Sequence, residues 1–479
     1  MNLKNLLKGI KYETKIQYIE NYKINNITTD SRLLSDGDVF VCIDGARFNS
    51  HDYAKTSLPS NVAAVVVQRD IGLKNQIIVV NSKKAYALMA ANFFNNPAQK
   101  LNLIGVTGTN GKTSTTYIIK HILKSLGYKV GLIGTIQNEI EDLIFPAKYT
   151  TPDPLELNIL FRQMVDSGCK YVVMEVSSHS IHQKRIYGLT FKSAVFTNLT
   201  QDHLDYHLTM ENYYLAKKEL FKISKKAILN IDDEYGLRLL SELTCDKIMY
   251  SIYNENSDLY AKNIKVSPGG TNFVFVYMNQ EYRINIKMIG KFFVANTVAA
   301  VGVALSLGFD FQDIFNTLKE FKGVKGRAEI LPRELEFTII RDFAHCADGL
   351  EKILDAVNEF AIGRVVILFG CAGERDRTKR KAMAQVAAKN SDFIILTSDN
   401  PRSEDEISII NDAKEGLDNK VPYKIILDRY EAIRWALENS QKDDILILAG
   451  KGHEDYQVLK NYTVYFDEFE IISELLSYS

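Results

Sequence analysis

The residues of this sequence best suited to chemistry by type and spacing are Gly105-Val-Thr-Gly-Thr-Asn-Gly-Lys-Thr-Ser114. A glycine-rich turn directs backbone N–H groups at phosphate oxygens, and a helix that starts there adds partial positive charge. Gly108, Thr109, Asn110, Gly111 and Ser114 form such a turn. Lys112 can reach the outer phosphates of a nucleotide triphosphate, and the Thr113 hydroxyl can join the coordination of Mg²⁺. A strict G-x-x-x-x-G-K-[ST] loop would place glycine at 106, where this chain has Val106; its glycine is Gly108 instead. The bland alternative is a chance Gly-Lys-Thr on a surface turn. Against it stand apolar Leu101 to Ile104 before the loop and Ile118, Ile119, Ile122, Leu123 and Leu126 at helical spacing after it.

Other candidates lie downstream. Lys170-Tyr-Val-Val-Met-Glu-Val-Ser-Ser-His179 reads as a buried parallel strand with Glu175 near its carboxyl end, where ligands of open α/β sheets gather. A carboxylate there is a natural Mg²⁺ partner, or else an ion-pair partner for a neighbouring lysine. Thr197-Asn-Leu-Thr-Gln-Asp-His-Leu-Asp-Tyr-His207 packs two Asp and two His into six residues of a chain with only eight His. Zinc is possible there, with His203 and His207 four residues apart, but no Cys joins them, so hydrated Mg²⁺ fits better. Tyr214, Lys217 and Phe221 share one helical face; by spacing alone Lys217 reads as a surface lysine. Three apolar runs end in polar loops: Cys371-Ala-Gly-Glu-Arg-Asp-Arg377, Ser398-Asp-Asn-Pro-Arg402 and Lys451-Gly-His-Glu-Asp455. At corresponding strand ends they converge on one crevice. There Arg375, Arg402 and Glu454 could hold a ligand carrying both carboxylates and an amine, unless each is simply a solvated loop charge.

The elements that must position these residues follow from pattern. The fold class is α/β. Residues 1–98 form a small α/β domain, with strands in Asp38–Ile43, Val62–Val67 and Gln76–Val80 and a helix over Ala85–Phe94 broken by Asn95-Asn-Pro-Ala98. Thr28-Thr-Asp-Ser-Arg32 reads as a turn with Asp30 or Ser31 capping. Residues 99–325 form a central P-loop domain with a parallel sheet. Within it, residues 258–290 alternate with period two, a peripheral antiparallel hairpin turning at Asn279-Gln280, and Gly290–Leu305 returns to helix carrying Asn296. Residues 326–479, after the glycine-punctuated Gly323–Ala328, form a doubly wound α/β domain.

With 479 residues, 46% hydrophobic and 24% charged, the chain is too long for one core and ordinary in composition. A net charge of −1 gives no pull towards nucleic acid or anionic membrane. Five scattered cysteines without a C-x-x-C pair, no signal-peptide core and no membrane-length apolar run suit a cytoplasmic enzyme.

Together these motifs resemble the Mur ligase family over essentially the whole chain, from Thr29 to Glu454. Thr107-Gly-Thr-Asn-Gly-Lys-Thr113 is that family's own loop variant. The resemblance implies an ATP-dependent ligase of peptidoglycan synthesis that adds a third amino acid to UDP-MurNAc-L-Ala-D-Glu, acting as a monomer. It implies that Ser31 contacts the UDP part, that Thr29 belongs to the same UDP-MurNAc-dipeptide site, and that Thr150, Thr151, Ser177, Gln183 and Arg185 hold the dipeptide. Glu175 and His203 match metal-site residues. Lys217 matches a carbamylated lysine whose carbamate helps hold a second Mg²⁺. Asn296, Arg327, Asp342 and His345 match positions around adenine and ribose. Asp399-Asn400-Pro401-Arg402 looks like the signature selecting meso-diaminopimelate over L-lysine, and Arg375, Gly450 and Glu454 match the remaining contacts to that amino acid.

Three segments depart from the family pattern. Ala372 stands where a glycine is usual, which leaves room for an analogue such as meso-lanthionine. Asp342-Phe-Ala-His-Cys-Ala347 replaces a typical Asp-Tyr-Ala-His-Thr-Pro, and Asn49-Ser-His51 replaces Asp-Gly-His. The rival readings are the same ligase using L-lysine, a folylpolyglutamate synthetase-like ligase, and a nucleotide-switched binding protein. The N-terminal domain and Asp399–Arg402 weigh against the second. The converging Arg375, Arg402 and Glu454 weigh against the third.

Overall fold

The computed structural model describes residues 1–45, 49–59, 61–331, 335–417 and 421–477. The chain divides into two compact units, Met1–Thr107 with Gly127–Ala194 and Ala216–Lys226, and Gly108–Leu126 with Val195–Leu215 and Ala227–Ser479.

The first unit opens with a five-stranded sheet in the order Tyr12–Thr14, Gln76–Val79, Ala64–Val67, Val39–Val41, Ile27–Thr28. All but the first strand pair in parallel. Valine and isoleucine on both faces explain the continuous apolar runs, since a parallel sheet is covered on both sides. One face packs on helix Ser82–Phe93 through Ala85, Tyr86 and Met89, the other on Ala54 of helix Ser50–Ser57. Asn95 and Asn96 leave that first helix with φ of 59° and 52°, so the chain turns there as expected. The unit continues with strands Phe191–Phe196, Asn102–Thr107, Tyr171–Glu175 and Val130–Ile133, then the hairpin Gln137–Ile140 and Leu143–Pro146. Asn102–Thr107 and Tyr171–Glu175 pair in parallel, with Glu175 opposite Val106.

In the second unit, helix Lys112–Ser125 buries Ile118, Ile119, Ile122 and Leu123 and packs on helix Lys291–Ser306. The period-two segment is the hairpin Gly270–Tyr277 and Gln280–Ile286, hydrogen-bonded to strand Leu259–Ser267. Its turn is Met278-Asn279, both at positive φ, one residue earlier than the pattern suggested; Gln280 already lies in the strand. The C-terminal sheet runs Glu329–Ile330, Thr338–Asp342, Ile445–Ala449, Val365–Phe369, Phe393–Leu396, Tyr423–Ile425. After its antiparallel edge strand every pairing is parallel. Helices Arg429–Asn439 and Glu468–Ser477 cover one face through Ala432, Ile433, Ala436 and Ile472. Helices Ala347–Asn358, Thr378–Asn390 and Glu406–Lys414 pack in series, the first two also against strands of this sheet. Strand Ile445–Ala449 returns between the first two long strands, which places a switch point at their carboxyl ends. Among the described residues no helix is long and apolar enough to cross a membrane.

Candidate active site

The phosphate loop is clamped from several sides. Thr109 N donates to Asn198 O at 2.9 Å and Asn110 N to Asn198 Oδ1 at 2.9 Å. Asn110 O accepts from Thr197 Oγ1 at 2.6 Å and Asn198 Nδ2 at 3.2 Å. Gly108 has to be glycine, because a Cβ there would stand 1.8 Å from Thr197 Oγ1; at Gly111 (φ 84°) it would stand 2.5 Å from Asn296 Oδ1. Val106 lies inside the strand, in register with Glu175, and needs no glycine. Lys112 Nζ donates to the carbonyls of Gly108 (3.0 Å) and Thr109 (2.7 Å), which holds the ammonium over the loop.

Beside this loop lies a cavity of about 400 Å³ lined by Asn110, Gly111, Ser114, Asn296, Arg327, Asp342 and His345 among others. Every residue that the resemblance placed around adenine and ribose therefore meets the loop in one cavity. Arg327 Nη2 donates to Thr113 Oγ1 at 3.1 Å, and its guanidinium lies 4.5 Å over the Phe343 ring. Asp342 accepts from Ala328 N (2.6 Å) and Ala344 N (2.7 Å). Burial pushes its carboxyl above the usual range, against the pull of Arg327 and those two N–H groups. Sequence reasoning missed Asn198, Lys291, Phe292 and Lys352 as lining residues and Asp348, which accepts from Asn110 Nδ2 at 2.5 Å. Only the tertiary fold brings them here.

In the first unit a second network forms around Glu175, which is fully buried at the end of its strand. Its carboxylate accepts from Thr135 N at 2.8 Å and Thr135 Oγ1 at 2.9 Å. Thr150 Oγ1 lies 3.1 Å from Thr135 Oγ1, and Thr151 Oγ1 donates to Glu175 O at 2.9 Å while accepting from Ser177 N at 3.0 Å. Arg185 donates to Thr151 O at 2.7 Å and holds Gln183 Oε1 through two nitrogens. Thus Thr150, Thr151, Glu175, Ser177, Gln183 and Arg185 form one connected set, with Thr135 as the member the motifs did not reveal. Thr29 and Ser31 lie at the end of the short strand Ile27–Thr28, where the Asp30 carboxylate accepts from Arg32 N and caps Ser31–Leu33. The turn reading of this segment holds, and of its two candidate caps, Asp30 and Ser31, it is Asp30 that caps.

Lys217 is 1% exposed, which overturns the surface-lysine reading: its helix Met210–Lys222 turns Tyr214, Lys217 and Phe221 inward together. In the Asp- and His-dense segment His203 Nδ1 lies 3.5 Å from Asp202 Oδ1, and the His203 ring lies 6.1 Å from Tyr213. Asp202 pairs with Lys379, and the His207 ring stacks on Tyr213 at 4.9 Å. Among the described residues no group of three or more His, Cys, Asp and Glu side chains is arranged to hold a metal. Mg²⁺ needs no such cage, since it keeps waters and shares phosphate oxygens. Taken separately, the Thr113 hydroxyl of the second unit and the buried Glu175 carboxylate of the first are hard oxygens of the kind Mg²⁺ favours.

The three C-terminal loops do converge. Gly373 N donates to Asn400 O at 2.9 Å, Arg402 Nη1 to Gly373 O at 2.5 Å, and Asn400 Nδ2 to Glu454 Oε2 at 3.0 Å. Arg402 takes φ 55°, a left-handed conformation that costs a non-glycine residue about 1 kcal/mol or more. Burial, and next the cation of Arg375, lower its guanidinium pKa, while Asp399, Glu374 and Glu454 oppose. Burial likewise pushes the Glu454 carboxyl up. Gly450 (φ 109°) closes the crevice, where a Cβ would come within 3.3 Å of Asp399 Oδ2. Two cations beside two carboxylates suit a zwitterionic ligand. Pro401 opens the turn over Arg402 and Ser403, its carbonyl accepting from Glu404 N at 3.1 Å.

A nucleotide cavity joined to a phosphate loop, with a charged crevice on a doubly wound sheet, is the equipment of an ATP-consuming ligase. Family models described as the Mur ligase middle domain and the Mur ligase glutamate ligase domain match residues 106–304 and 326–452. The chain belongs to the Mur ligase family, enzymes that form amide bonds at the expense of ATP. It is 44% identical to a UDP-N-acetylmuramoyl-L-alanyl-D-glutamate--2,6-diaminopimelate ligase of Clostridium acetobutylicum, over 99% of each chain. It is also 44% identical, over 100% of each chain, to a ligase of the same name from Caldanaerobacter subterraneus subsp. tengcongensis. A solved structure of a ligase with that name superposes with a TM-score of 0.71 at 29% identity, covering 100% of this chain and 99% of the other.

Proposed function

We propose that this chain joins an amine of meso-diaminopimelate to the D-glutamate γ-carboxylate of UDP-MurNAc-L-Ala-D-Glu, with ATP converted to ADP and phosphate. The observation that carries this reading is the crevice where the three loops meet, with Arg402 bonded to Gly373 O, Glu454 bonded to Asn400 Nδ2, and Arg375 and Asp399 near enough to act on the Arg402 charge. A distal carboxylate and ammonium, as diaminopimelate has, match both sets of charges. L-lysine would leave the guanidiniums unpaired.

The γ-carboxylate attacks the γ-phosphorus of ATP and ADP departs, leaving an acyl phosphate. The amine then adds to the acyl carbon, loses a proton, and the tetrahedral intermediate expels phosphate. Lys112, poised over the loop by the Gly108 and Thr109 carbonyls, offsets charge on the transferring group. Asn296, Arg327, Asp342 and His345 hold the nucleoside. Thr150, Thr151, Ser177, Gln183 and Arg185 hold the dipeptide, with Thr29 and Ser31 on the uridine side. Thr113, Glu175, His203 and a Lys217 carbamylated by CO₂ would hold Mg²⁺, which supplies neutralisation of phosphate charge. The segments 1–98, 99–325 and 326–479 act as UDP-substrate, ATP and amino-acid domains of a cytoplasmic monomer.

The test is ATP-dependent phosphate release with UDP-MurNAc-L-Ala-D-Glu, supplying meso-diaminopimelate, L-lysine and meso-lanthionine separately. Turnover with diaminopimelate supports the proposal. Turnover with lanthionine alone keeps the crevice and changes the substrate, and turnover with lysine alone sinks the specificity. Phosphate release independent of any amino acid sinks the ligase reading.

A further inference from the structure

Lys451 follows Gly450 at the end of strand Ile445–Ala449, and its side chain is entirely buried. An ammonium out of water needs acceptors all round, and here every acceptor belongs to the amino-acid crevice or its edge. Nζ donates to Asn400 Oδ1 at 2.8 Å and to Tyr456 O at 2.7 Å. It also lies 3.4 Å from Asp399 Oδ1 and 3.5 Å from Glu454 Oε2.

This arrangement decides which way the Asn400 amide points. Its Oδ1 accepts from both Lys451 Nζ and, at 2.9 Å, Val458 N, so both lone pairs are used. A flipped amide would aim its NH₂ at two donors. The Nδ2 is thereby presented to Glu454 Oε2 at 3.0 Å. Among the described residues Glu454 Oε1 meets only the Tyr456 hydroxyl, at 3.4 Å, and is the oxygen with capacity for a ligand's ammonium. The ammonium also keeps Asp399 and Glu454 from facing each other uncompensated, leaving the cluster of three with one net negative charge.

We propose that Lys451 is a positioning residue for the amino-acid substrate, fixing the Asn400 amide and through it the Glu454 carboxylate that receives the substrate's ammonium. The inference rests on the function proposed above. It is tested with Lys451→Gln and Lys451→Arg, in the wild-type background and beside Glu454→Gln, using phosphate release with KM measured separately for meso-diaminopimelate and ATP. Lys451→Gln should raise KM for diaminopimelate by about tenfold or more, the scale of a lost charge-assisted bond, with KM for ATP unchanged. Lys451→Arg should recover part of that loss. With Glu454 already replaced, Lys451→Gln should add little, because the two act as one unit. An unchanged diaminopimelate KM, an equal rise for ATP, full additivity with Glu454→Gln, or failure of both Lys451 variants to fold would each overturn the assignment. Wild-type enzyme indifferent to diaminopimelate would overturn the underlying function instead.

Discussion

Asn110 of the phosphate loop donates through Nδ2 to the Asp348 carboxylate 2.5 Å away, and Lys352 Nζ reaches the same carboxylate oxygen at 2.7 Å. A residue at the start of helix Ala347–Asn358 thus braces the loop that is to cradle phosphates. Replacing Asp348 with Ala should leave Asn110 held only through its backbone. A lost charge-assisted bond of about 1.5–3 kcal/mol corresponds to roughly a ten- to hundredfold rise in KM for ATP. Steady-state kinetics at saturating amino acid check this; an unchanged KM for ATP would remove Asp348 from the nucleotide site.

Gly108→Ala brings a methyl into the Thr197 hydroxyl, whose bond to Asn110 O is itself part of the loop. Overpacking of this kind costs about 1–3 kcal/mol, and the shift displaces the N–H groups meant for phosphate. Nucleotide binding, measured by titration with ADP and Mg²⁺, should be lost while the far-ultraviolet circular dichroism is retained. Tight ADP binding by this variant would refute the account of the loop.

Much of the site was legible because its chemistry is local. The loop, its strand and its helix lie within about thirty residues, and apolar periodicity placed them correctly. Asp399–Arg402 and Glu454 were legible as loop charges at strand ends. Lys217 was not, since a lysine on an apolar helix face looks the same in sequence whether its neighbours bury it or water does; only the resemblance marked it. Thr135 and Asp348 carried no signal, and Lys451 only its place at the head of a loop that follows a strand. Each acts through a partner 40, 238 and 51 residues away, respectively Glu175, Asn110 and Asn400, and such pairings exist only once the strands are stacked.

Arg402→Lys keeps the positive charge but gives up the planar fork that donates to Gly373 O and faces the crevice. KM for meso-diaminopimelate should rise by roughly ten- to a hundredfold, with KM for ATP unchanged. L-lysine should not become a better substrate, because Arg375 remains to be satisfied. Equal rises in both constants would instead point to disruption of the whole domain.

His453 packs against the Phe343 ring at 4.8 Å, and burial, then the cations of Arg327, Lys325 and Arg341, lower its pKa to about 3. In the unfolded chain the imidazole takes a proton near pH 6.5. Between those values the unfolded state binds the extra proton, so this residue's contribution to stability falls as pH drops below about 6.5. Urea denaturation of wild type and His453→Phe from pH 7.5 to 5 should show a shallower decline in the variant. Parallel declines would mean the ring is solvated and titrates normally.

Arg429 and Glu468 are both fully buried and paired at 2.7 Å. The Arg429 guanidinium also donates to Ala449 O at 2.9 Å and reaches Ser398 O at 3.4 Å, the residues directly before Gly450 and Asp399. Removing one partner leaves an uncompensated buried charge, so Glu468→Leu should cost about 3–5 kcal/mol of unfolding free energy. Arg429→Met with Glu468→Leu removes both charges and should recover much of that loss. Stability and function should then separate. The double variant no longer holds the two carbonyls, so KM for the amino acid should stay raised even where the denaturation midpoint returns. A double variant with wild-type KM would show that the pair serves the fold alone.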